Sequence, residues 1–357
     1  MPIAASTITI HDPPGVEALR KTLRLDPRVI RRVQAALCRA FLGANQALAA
    51  VPATERAAFA AAVRCHELTL ERRRDSQRDG ATKLLFRTAD GQTIESVILR
   101  IQSGRSSLCV SAQTGCAGGC RFCATGRIQG GRSLSSAEIL DQAIWAGELL
   151  AAEGRQLRNV VFMGMGEPLR NEEAVGTALD QLRSKHGLHL SDRHLLVSTL
   201  GIPDALRRLA TRFPRVGFAI SLHSARQAIR DDLMPLARHW PLPELRQAIR
   251  DVNALQDRPV MIEVLMLDGL TDTAADEEAL IAWLQRLRVH VNLIPYNAIE
   301  GSDADHQPLR GSSETRIQEF LARLKAAGFE TTRRHSLGTD IGAACGQLAE
   351  GRLNPDT

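Results

Sequence analysis

Three cysteines, Cys116, Cys120 and Cys123, stand in a C-x3-C-x2-C array within the stretch CVSAQTGCAGGCRFCATG (109–126). A fourth, Cys109, precedes the array by seven residues, and Cys345 stands almost at the end of the 357-residue chain. Sulfur is the preferred ligand of iron–sulfur clusters, so three thiolates from one short loop can hold three irons of a [4Fe–4S] cluster and leave the fourth open. Gly118 and Gly119 let such a loop wrap closely, and Phe122 can shield it from water. Zinc is the competing metal, but a tetrahedral site wants a fourth protein ligand, and no nearby Cys or His supplies one at a familiar spacing. Ordinary core cysteines are the remaining alternative, and the crowding of four into fifteen residues argues against it. Cys38 and Cys65 match no motif and are expected in the core.

A loop of this kind needs a rigid scaffold. From about residue 107, short apolar runs at 107–113, 158–163, 194–199, 216–221, 259–266 and 290–295 alternate with helical patterns. Ser135, followed three residues later by Glu138, matches a capping box at a helix start. Further helices are expected over 171–186, 241–254, 273–288 and 313–327. Six such alternations predict an α/β fold with a parallel sheet, barrel-like or doubly wound. The polar motifs fall at the C-terminal ends of strands, where barrels gather function, which favours the barrel. Upstream, KLLFRTADGQTIESVILR (83–100) sets two β-rich runs around Ala-Asp-Gly, a hairpin signal. Residues 15–75 read as helical, with apolar residues at helical spacing around Ile30, Val33, Leu37 and Phe41 and an alanine-rich stretch from Glu55 to Leu70. The expected organisation is a helical accessory domain over 1–80, a β-hairpin connector over 81–106 and an α/β core over 107–350.

A hydrophobic content of 44% and a charged content of 24% are those of an ordinary globular protein, and no apolar run approaches the ~18 residues that span a bilayer. The N-terminus, MPIAASTITIHDPPG, has neither a basic region nor a sustained apolar one, so a cytoplasmic protein without membrane attachment is expected. In that reducing compartment, clustered cysteines read as metal ligands or catalysts rather than disulfides. The net charge of +5 lies wholly in residues 1–80, which carry 13 Lys/Arg against 8 Asp/Glu; the rest carries 32 of each. Arg72, Arg73, Arg74 and Arg78 stand together there. A basic appendage on a neutral body is a footprint for nucleic acid, and a solvated helix face is the plain alternative.

The other candidate residues follow strands. In GMGEP, Gly166 admits close backbone approach and Glu167 can accept hydrogen bonds from an ammonium group. Ser198, Asn297 and His223 read singly as strand-end turn residues or a structural histidine. Their shared placement after successive strands reads instead as a pocket.

The array, with MGMGEPLRN (163–171), VSTLG (197–201), ISLHS (220–224), NLIPYN (292–297) and GTDIGAACGQL (338–348), resembles the RlmN/Cfr family of radical-SAM RNA adenine methyltransferases. The motifs occur in the family's order, from about residue 83 to the end. The first 80 residues hold no Trp or Tyr and depart from the family's aromatic-containing pattern, and Ser111-Ala112-Gln113 stands where the family has Ser-Ser-Gln. The resemblance implies a radical-SAM partial (β/α)6 barrel with one [4Fe–4S] cluster on Cys116, Cys120 and Cys123. It implies S-adenosyl-L-methionine (SAM) held by Gly166, Glu167, Ser198, Ser221, Leu222, His223 and Asn297. The partners it implies are RNA, 23S rRNA and also tRNA, and an electron donor such as flavodoxin or ferredoxin.

Carbons 2 and 8 of adenine are electron-poor and cannot attack the methyl of SAM as nucleophiles, whereas a carbon radical can add to them. The resemblance implies that one SAM methylates Cys345 and that a second is reductively cleaved to the 5′-deoxyadenosyl radical, which takes a hydrogen from the S-methyl group. The methylene radical then adds to adenine, Glu95 of the hairpin accepts a proton, and Cys109 attacks the Cys345 sulfur to release product with a transient disulfide. C2 and C8 both stay open; CATG after the array occurs in the C8 kind. A radical-SAM enzyme acting on a protein or small molecule would not need the Cys109 and Cys345 pair. A non-enzymatic RNA-binding relative should have lost one of the five thiols, and all are present.

Overall fold

The computed structural model describes residues 8–101, 104–128, 130–299 and 308–349. Two short parallel strands, β1 (Ile8–Thr9) and β2 (Val63–Arg64), bracket a helical unit of α1 (Pro13–Thr22), α2 (Pro27–Cys38), α3 (Ala44–Leu48) and α4 (Ala53–Ala62). Proline opens α1 and α2, where a missing N–H costs nothing, and Asp26 caps α2 by accepting the Arg28 N–H at 2.7 Å. Val29, Ile30, Val33 and Leu37 form the buried stripe of α2. Cys38 and Cys65 are buried in the same core, as expected.

Helix ends sooner than the sequence pattern predicts. Thr69–Asp75 is a strand, β3, paired antiparallel with β4 (Ala81–Arg87). Leu70-Glu71-Arg72-Arg73-Arg74 has no apolar stripe for a helix to bury, whereas on an edge strand its charges stay in water and discourage further pairing. Arg72–Arg74 therefore lie on a sheet edge, and Arg73 is engaged by Asp75 and Glu153. The expected hairpin forms between β4 and β5 (Thr93–Arg100).

β5 pairs antiparallel with β6 (Ser106–Cys109), and from β6 onward the sheet is parallel. β7 (Leu157–Phe162), β8 (Leu195–Thr199), β9 (Gly217–Ser221), β10 (Val260–Met266), β11 (Val289–Pro295) and β12 (Glu330–Arg333) follow in chain order, giving one open ten-stranded sheet from β12 to β3. The crossovers are α5 (Ser136–Ala152), α6 (Glu172–Arg183), α7 (Pro203–Arg212), α8 (Gln227–Leu233) with α9 (Leu242–Leu255), α10 (Ala274–Leu284) and α11 (Glu314–Ala326). The sequence pattern gave no sign of α7, α8 or β12: α7 and α8 are short, and β12 is a polar Glu-Thr-Thr-Arg run. No helix among the described residues is long and apolar enough to cross a membrane.

A continuous apolar core joins the helical unit to the sheet, and α5 sits between them. Its capping box on Ser135 and Glu138 forms as the sequence predicts. Buried Asp141 accepts the backbone N–H groups of Glu67 and Leu68, both at 2.8 Å, and lies 2.8 Å from His66 Nδ1. His66 also faces Glu148 at 3.4 Å and stacks on Trp145 at 4.2 Å. The next residue of α5 reaches the other way. Gln142 accepts from Ser96 Oγ at 2.6 Å and from the Ser111 N–H at 2.8 Å, fixing the loop that leaves β6.

Burial disfavours protonated His66, but its hydrogen bonds with Asp141 and Glu148 outweigh burial and lift its pKa to about 9. The docked imidazole is therefore cationic, with half-buried His11 and the buried Cys38 and Cys65 thiols nearby. A raised folded pKa means that this stabilisation is complete below the ordinary histidine value of about 6.5 and lost as pH rises through about 9. Urea unfolding between pH 6 and 10 should show that decline. Asp141→Asn should cost about 3–5 kcal/mol at pH 7, the cost of breaking a buried pair from one side, and should flatten the decline. A variant as stable as the parent at both pH values would show that the contact does not hold the helical unit.

Candidate active site

The loops leaving β6 and β7 are zipped together. The N–H groups of Ala112 and Gln113 donate to the Met165 carbonyl at 2.8 and 3.2 Å, and Gln113 Oε1 accepts the Glu167 N–H at 2.9 Å. Gly166 has φ +94°, and a Cβ there would lie 2.5 Å from Gln113 Cβ, so only glycine lets these loops close. Beside them, at the C-terminal ends of the parallel strands, opens a cavity lined by Cys116, Cys120 and Cys123. Gly166, Glu167, Ser198, Ser221, His223 and Asn297 line it too, as does Cys345.

The three-cysteine loop suits a polynuclear cluster. The Gly118 N–H donates to Cys116 Sγ at 3.3 Å, and a Cβ on Gly118 would lie 3.1 Å from Cys116 Sγ and 3.6 Å from Cys120 Sγ. The glycine thus keeps a hollow open between sulfurs. Among the described residues, no group of three or more His, Cys, Asp or Glu side chains could hold a single metal ion. Thiols spread around one hollow, with no nitrogen or oxygen ligand, fit an iron–sulfur cluster rather than tetrahedral zinc. The partial exposure of the three cysteines is toward the cavity. Burial pushes Cys116 up to about 12 and raises Cys120 further, where the thiols of Cys123 and Cys116 add to it. Such thiols ionise together only when positive charge is supplied among them.

Each residue expected to hold SAM has a definite place. Glu167 Oε1 accepts from the Leu169 N–H at 2.9 Å and Thr199 Oγ1 at 2.6 Å, and Oε2 accepts the Leu200 N–H at 2.8 Å. A carboxylate offers about four acceptor sites, so one remains on Oε2 for a ligand ammonium. Ser198 Oγ donates to Glu263 at 3.1 Å. His223 has φ +58°, accepts the Leu265 N–H on Nδ1 at 3.2 Å, and meets the Phe122 ring edge-on at 4.6 Å. Burial, with Arg230 adding to it, pushes His223 down to about 3, so the ring is neutral and carries its proton on Nε2. Asn297 Nδ2 donates to the Cys345 carbonyl at 3.2 Å, so it also holds the C-terminal segment. The structure does not bring the Leu222 side chain to the cavity: it packs in the core, and only its carbonyl takes part, accepting from Arg230.

A second hollow adjoins the first and is lined by Val97, Leu99, Cys109, Arg334 and Cys345. Val97 pairs with Cys109 across β5 and β6, which aims the thiol into it. The Cys345 segment is fastened to the cysteine loop, with Ala124 N donating to Gly346 O at 2.7 Å and Thr125 Oγ1 to Leu348 O at 2.6 Å. Burial, and then Cys345, push Cys109 up to about 12, while Arg334 works against them. Glu95 stands two residues before Val97 on the same strand face. It is buried, 3.5 Å from Lys83, whose Nζ donates to Gly342 O at 3.4 Å. Glu95 does not line either of these two hollows.

Two arginines escaped the sequence reading. Arg230, fully buried, donates to the carbonyls of Leu200 at 2.5 Å, Ser221 at 2.8 Å and Leu222 at 2.6 Å, clamping the loops after β8 and β9. Its position seven residues after His223 on α8 was its only signal. Arg334 follows β12, an unrecognised strand, and lies 3.4 Å from Glu263 between the two hollows.

Residues 110–284 match the Radical SAM superfamily. A Rhodopirellula baltica protein named "Probable RNA methyltransferase" is 47% identical over 348 residues, which is 98% of this chain and 89% of that one. The "Dual-specificity RNA methyltransferase RlmN 1" of Myxococcus xanthus is 42% identical over 271 residues, 76% of this chain and 74% of its own. The crystal structure of a radical SAM methyltransferase from Sphaerobacter thermophilus superposes with a TM-score of 0.88 at 36% identity, covering 97% of this chain and 99% of that one. With its cysteine-lined cavity at the strand ends and this likeness along nearly its whole length, the chain belongs to the RlmN/Cfr family of radical-SAM RNA methyltransferases, whose cofactors are a [4Fe–4S] cluster and SAM.

Proposed function

We propose that this chain methylates C2 or C8 of an adenosine in RNA, in 23S rRNA and also tRNA, with Cys345 carrying the methyl group and Cys109 releasing the product. The observation that carries the reading is that Cys345 lines both hollows, the one it shares with the three-cysteine loop and the one it shares with Cys109. Cys116, Cys120 and Cys123 would hold the [4Fe–4S] cluster, which would supply the electron for SAM cleavage, drawn from a cytoplasmic donor such as flavodoxin or ferredoxin.

The chain's own residues do the rest. Glu167 receives the SAM ammonium on Oε2, Gly166 lets the backbone approach, and Ser198, Ser221 and neutral His223 offer polar atoms on the far wall. Arg230 positions that wall by holding the carbonyls beneath it. Glu95, kept in place by Lys83 on the strand face that carries Cys109, takes the adenine proton, and the adduct's unpaired electron would return to the cluster that the three cysteines would hold, leaving a closed-shell thioether. Cys109 as thiolate then attacks the Cys345 sulfur. The S–S bond forms, the Cys345 S–C bond breaks, and its electron pair leaves with the methylene carbon, which takes a proton to become methyl. Cellular thiols reduce the disulfide. Arg334, between the two hollows, favours the Cys109 thiolate.

Nucleoside mass spectrometry of RNA incubated with reconstituted enzyme, SAM and reductant tests the reading: methyladenosine at C2 or C8 is expected, and its absence would refute it. Anaerobically reconstituted protein should carry about four irons per chain, and Ala at Cys116, Cys120 or Cys123 should abolish them. Stoichiometric zinc without iron would remove the cluster from the reading. The two remaining cysteines should fail differently. Cys345→Ala should give neither product nor adduct, while Cys109→Ala should stall after addition and accumulate a covalent protein–RNA band on denaturing gels. Normal turnover by Cys109→Ala would mean that its place beside Cys345 is structural only. Arg334→Met should slow release about tenfold for each pKa unit by which Cys109 rises, and alkylation of Cys109 should slow in parallel. Unchanged alkylation would show that Arg334 does not activate the thiol.

A further inference from the structure

Arg28, Arg31 and Arg32 recur at helical spacing on the exposed face of α2, opposite its buried stripe, and exposed Arg39 follows at its C-terminal end. With Lys185 and His186 from the α6–β8 connection they line an open groove of about 620 Å³. Asp26 is the only carboxylate lining it, and Oδ1 is engaged in capping α2. Elsewhere surface arginines find carboxylates: Arg183 with Asp192, Arg208 with Glu172, Arg212 with Asp180. Among the described residues, no ion pair reaches Arg28, Arg31, Arg32, Arg39 or Lys185. Like charges stacked along one helix face repel, so this groove is built for an anion from outside the chain.

Its place in the fold narrows the anion. α6 carries the chain from the C-terminal end of β7 back to the start of β8, so Lys185 and His186 lie at the sheet end opposite the cysteine cavity. Strands of five or six residues, at ~3.3 Å each, put roughly 17–20 Å between the two levels. A ligand engaging both must be extended and polyanionic. The lining offers guanidinium groups suited to phosphate and no Phe, Tyr or Trp for a base to stack on, which suits sequence-independent contact with a backbone. An acidic redox protein would be attracted too, but from this end it would face the wrong side of the sheet for electron delivery.

We propose that this groove anchors the phosphodiester backbone of the substrate RNA at a segment remote from the methylated nucleotide. The proposal rests on RNA being the substrate. It also moves the basic footprint expected at Arg72–Arg74 to α2.

The test uses the full chain and equilibrium binding without SAM, so that it does not depend on turnover. Arg31→Glu combined with Arg32→Glu should bind an intact tRNA or a large rRNA fragment at least tenfold more weakly. Its log–log salt slope should be flatter by roughly 0.7–0.9 for each phosphate that is no longer neutralised. Binding of a short hairpin of the same RNA that reaches only the cysteine cavity should not change, and Lys185→Glu should repeat the pattern. Arg31→Gln with Arg32→Gln should give a smaller loss in the same direction, with an unchanged melting temperature. Undiminished binding of the large RNA would overturn the proposal, as would an equal loss for the hairpin. Weakened reduction by an acidic donor with intact RNA binding would also overturn it and assign the groove to that donor. If the parent chain methylates no RNA yet the binding pattern holds, the methylation reading fails and the groove stands.

Discussion

Burial pushes the Cys109 and Cys116 thiols up to about 12 and raises those of Cys120 and Cys123, yet the proposed chemistry needs each sulfur as a thiolate. Water would solve this at once, but burial keeps it from these sulfurs. A dry site must therefore import positive charge by other means. The bound cluster's irons would serve three of the thiols. Arg334 serves Cys109, and the Arg230 charge reaches Cys120. Burying a guanidinium is itself unfavourable, and burial pulls Arg230 down to about 10. The three carbonyls it clamps make that burial tolerable and turn the same residue into the fastening of the cavity wall.

The scaffold follows from where such charges can be held. Parallel strands end together, so loops from β7 to β11 meet at one edge without any of them being long. α5 then ties three parts to one another through two adjacent side chains, Asp141 toward the helical unit and Gln142 toward the hairpin and the β6 loop. Through this joint, a shift of the helical unit would be felt at Ser111, whose hydroxyl donates to Glu95 O at 2.6 Å and accepts the Met165 N–H at 2.8 Å. An RNA held by α2 would thus pull on an element that is hydrogen-bonded to the loops beside the cavity.

Much of this was legible in the residues. The array and Gly166 with Glu167 announce themselves because sulfur ligation, backbone approach and a carboxylate for an ammonium each demand particular residue types at short range. Ser198, by contrast, gains meaning only beside its neighbours after successive strands, and Ser221 only from the family resemblance. The six expected strands from 107 to 295 all formed, because buried parallel strands are apolar runs. Thr69–Asp75 was misread because its pairing with β4 is a long-range fact, and charged residues on an edge strand carry no period of their own. Leu222 was assigned to the cofactor pocket as part of a motif, but alternation along the chain turns it into the core between Ser221 and His223. Arg230 and Arg334 were invisible for a related reason. An arginine reads as surface until the fold shows it buried against carbonyls or thiols contributed by distant segments.

Cys345 has two tasks on the proposed reading, and the structure separates them by little. Its carbonyl is held by Asn297, and the flanking segment is pinned through Gly346, Gln347 and Leu348 to Ala124, Ala298 and Thr125. The backbone is thus held at Cys345 and at the three residues that follow it. The two hollows share Cys345, Arg334 and Met163 in their walls, so the one cysteine borders both the cysteine loop and Cys109. The same pinning explains why the segment depends on glycines. Gly346 has φ +87°, and a Cβ there would lie 2.8 Å from the Phe122 carbonyl, so the residue after the carrier must be the one that admits the cysteine loop at close range. The segment that bears Cys345 and the three-cysteine loop thus pack backbone against backbone, with no room for a side chain between them.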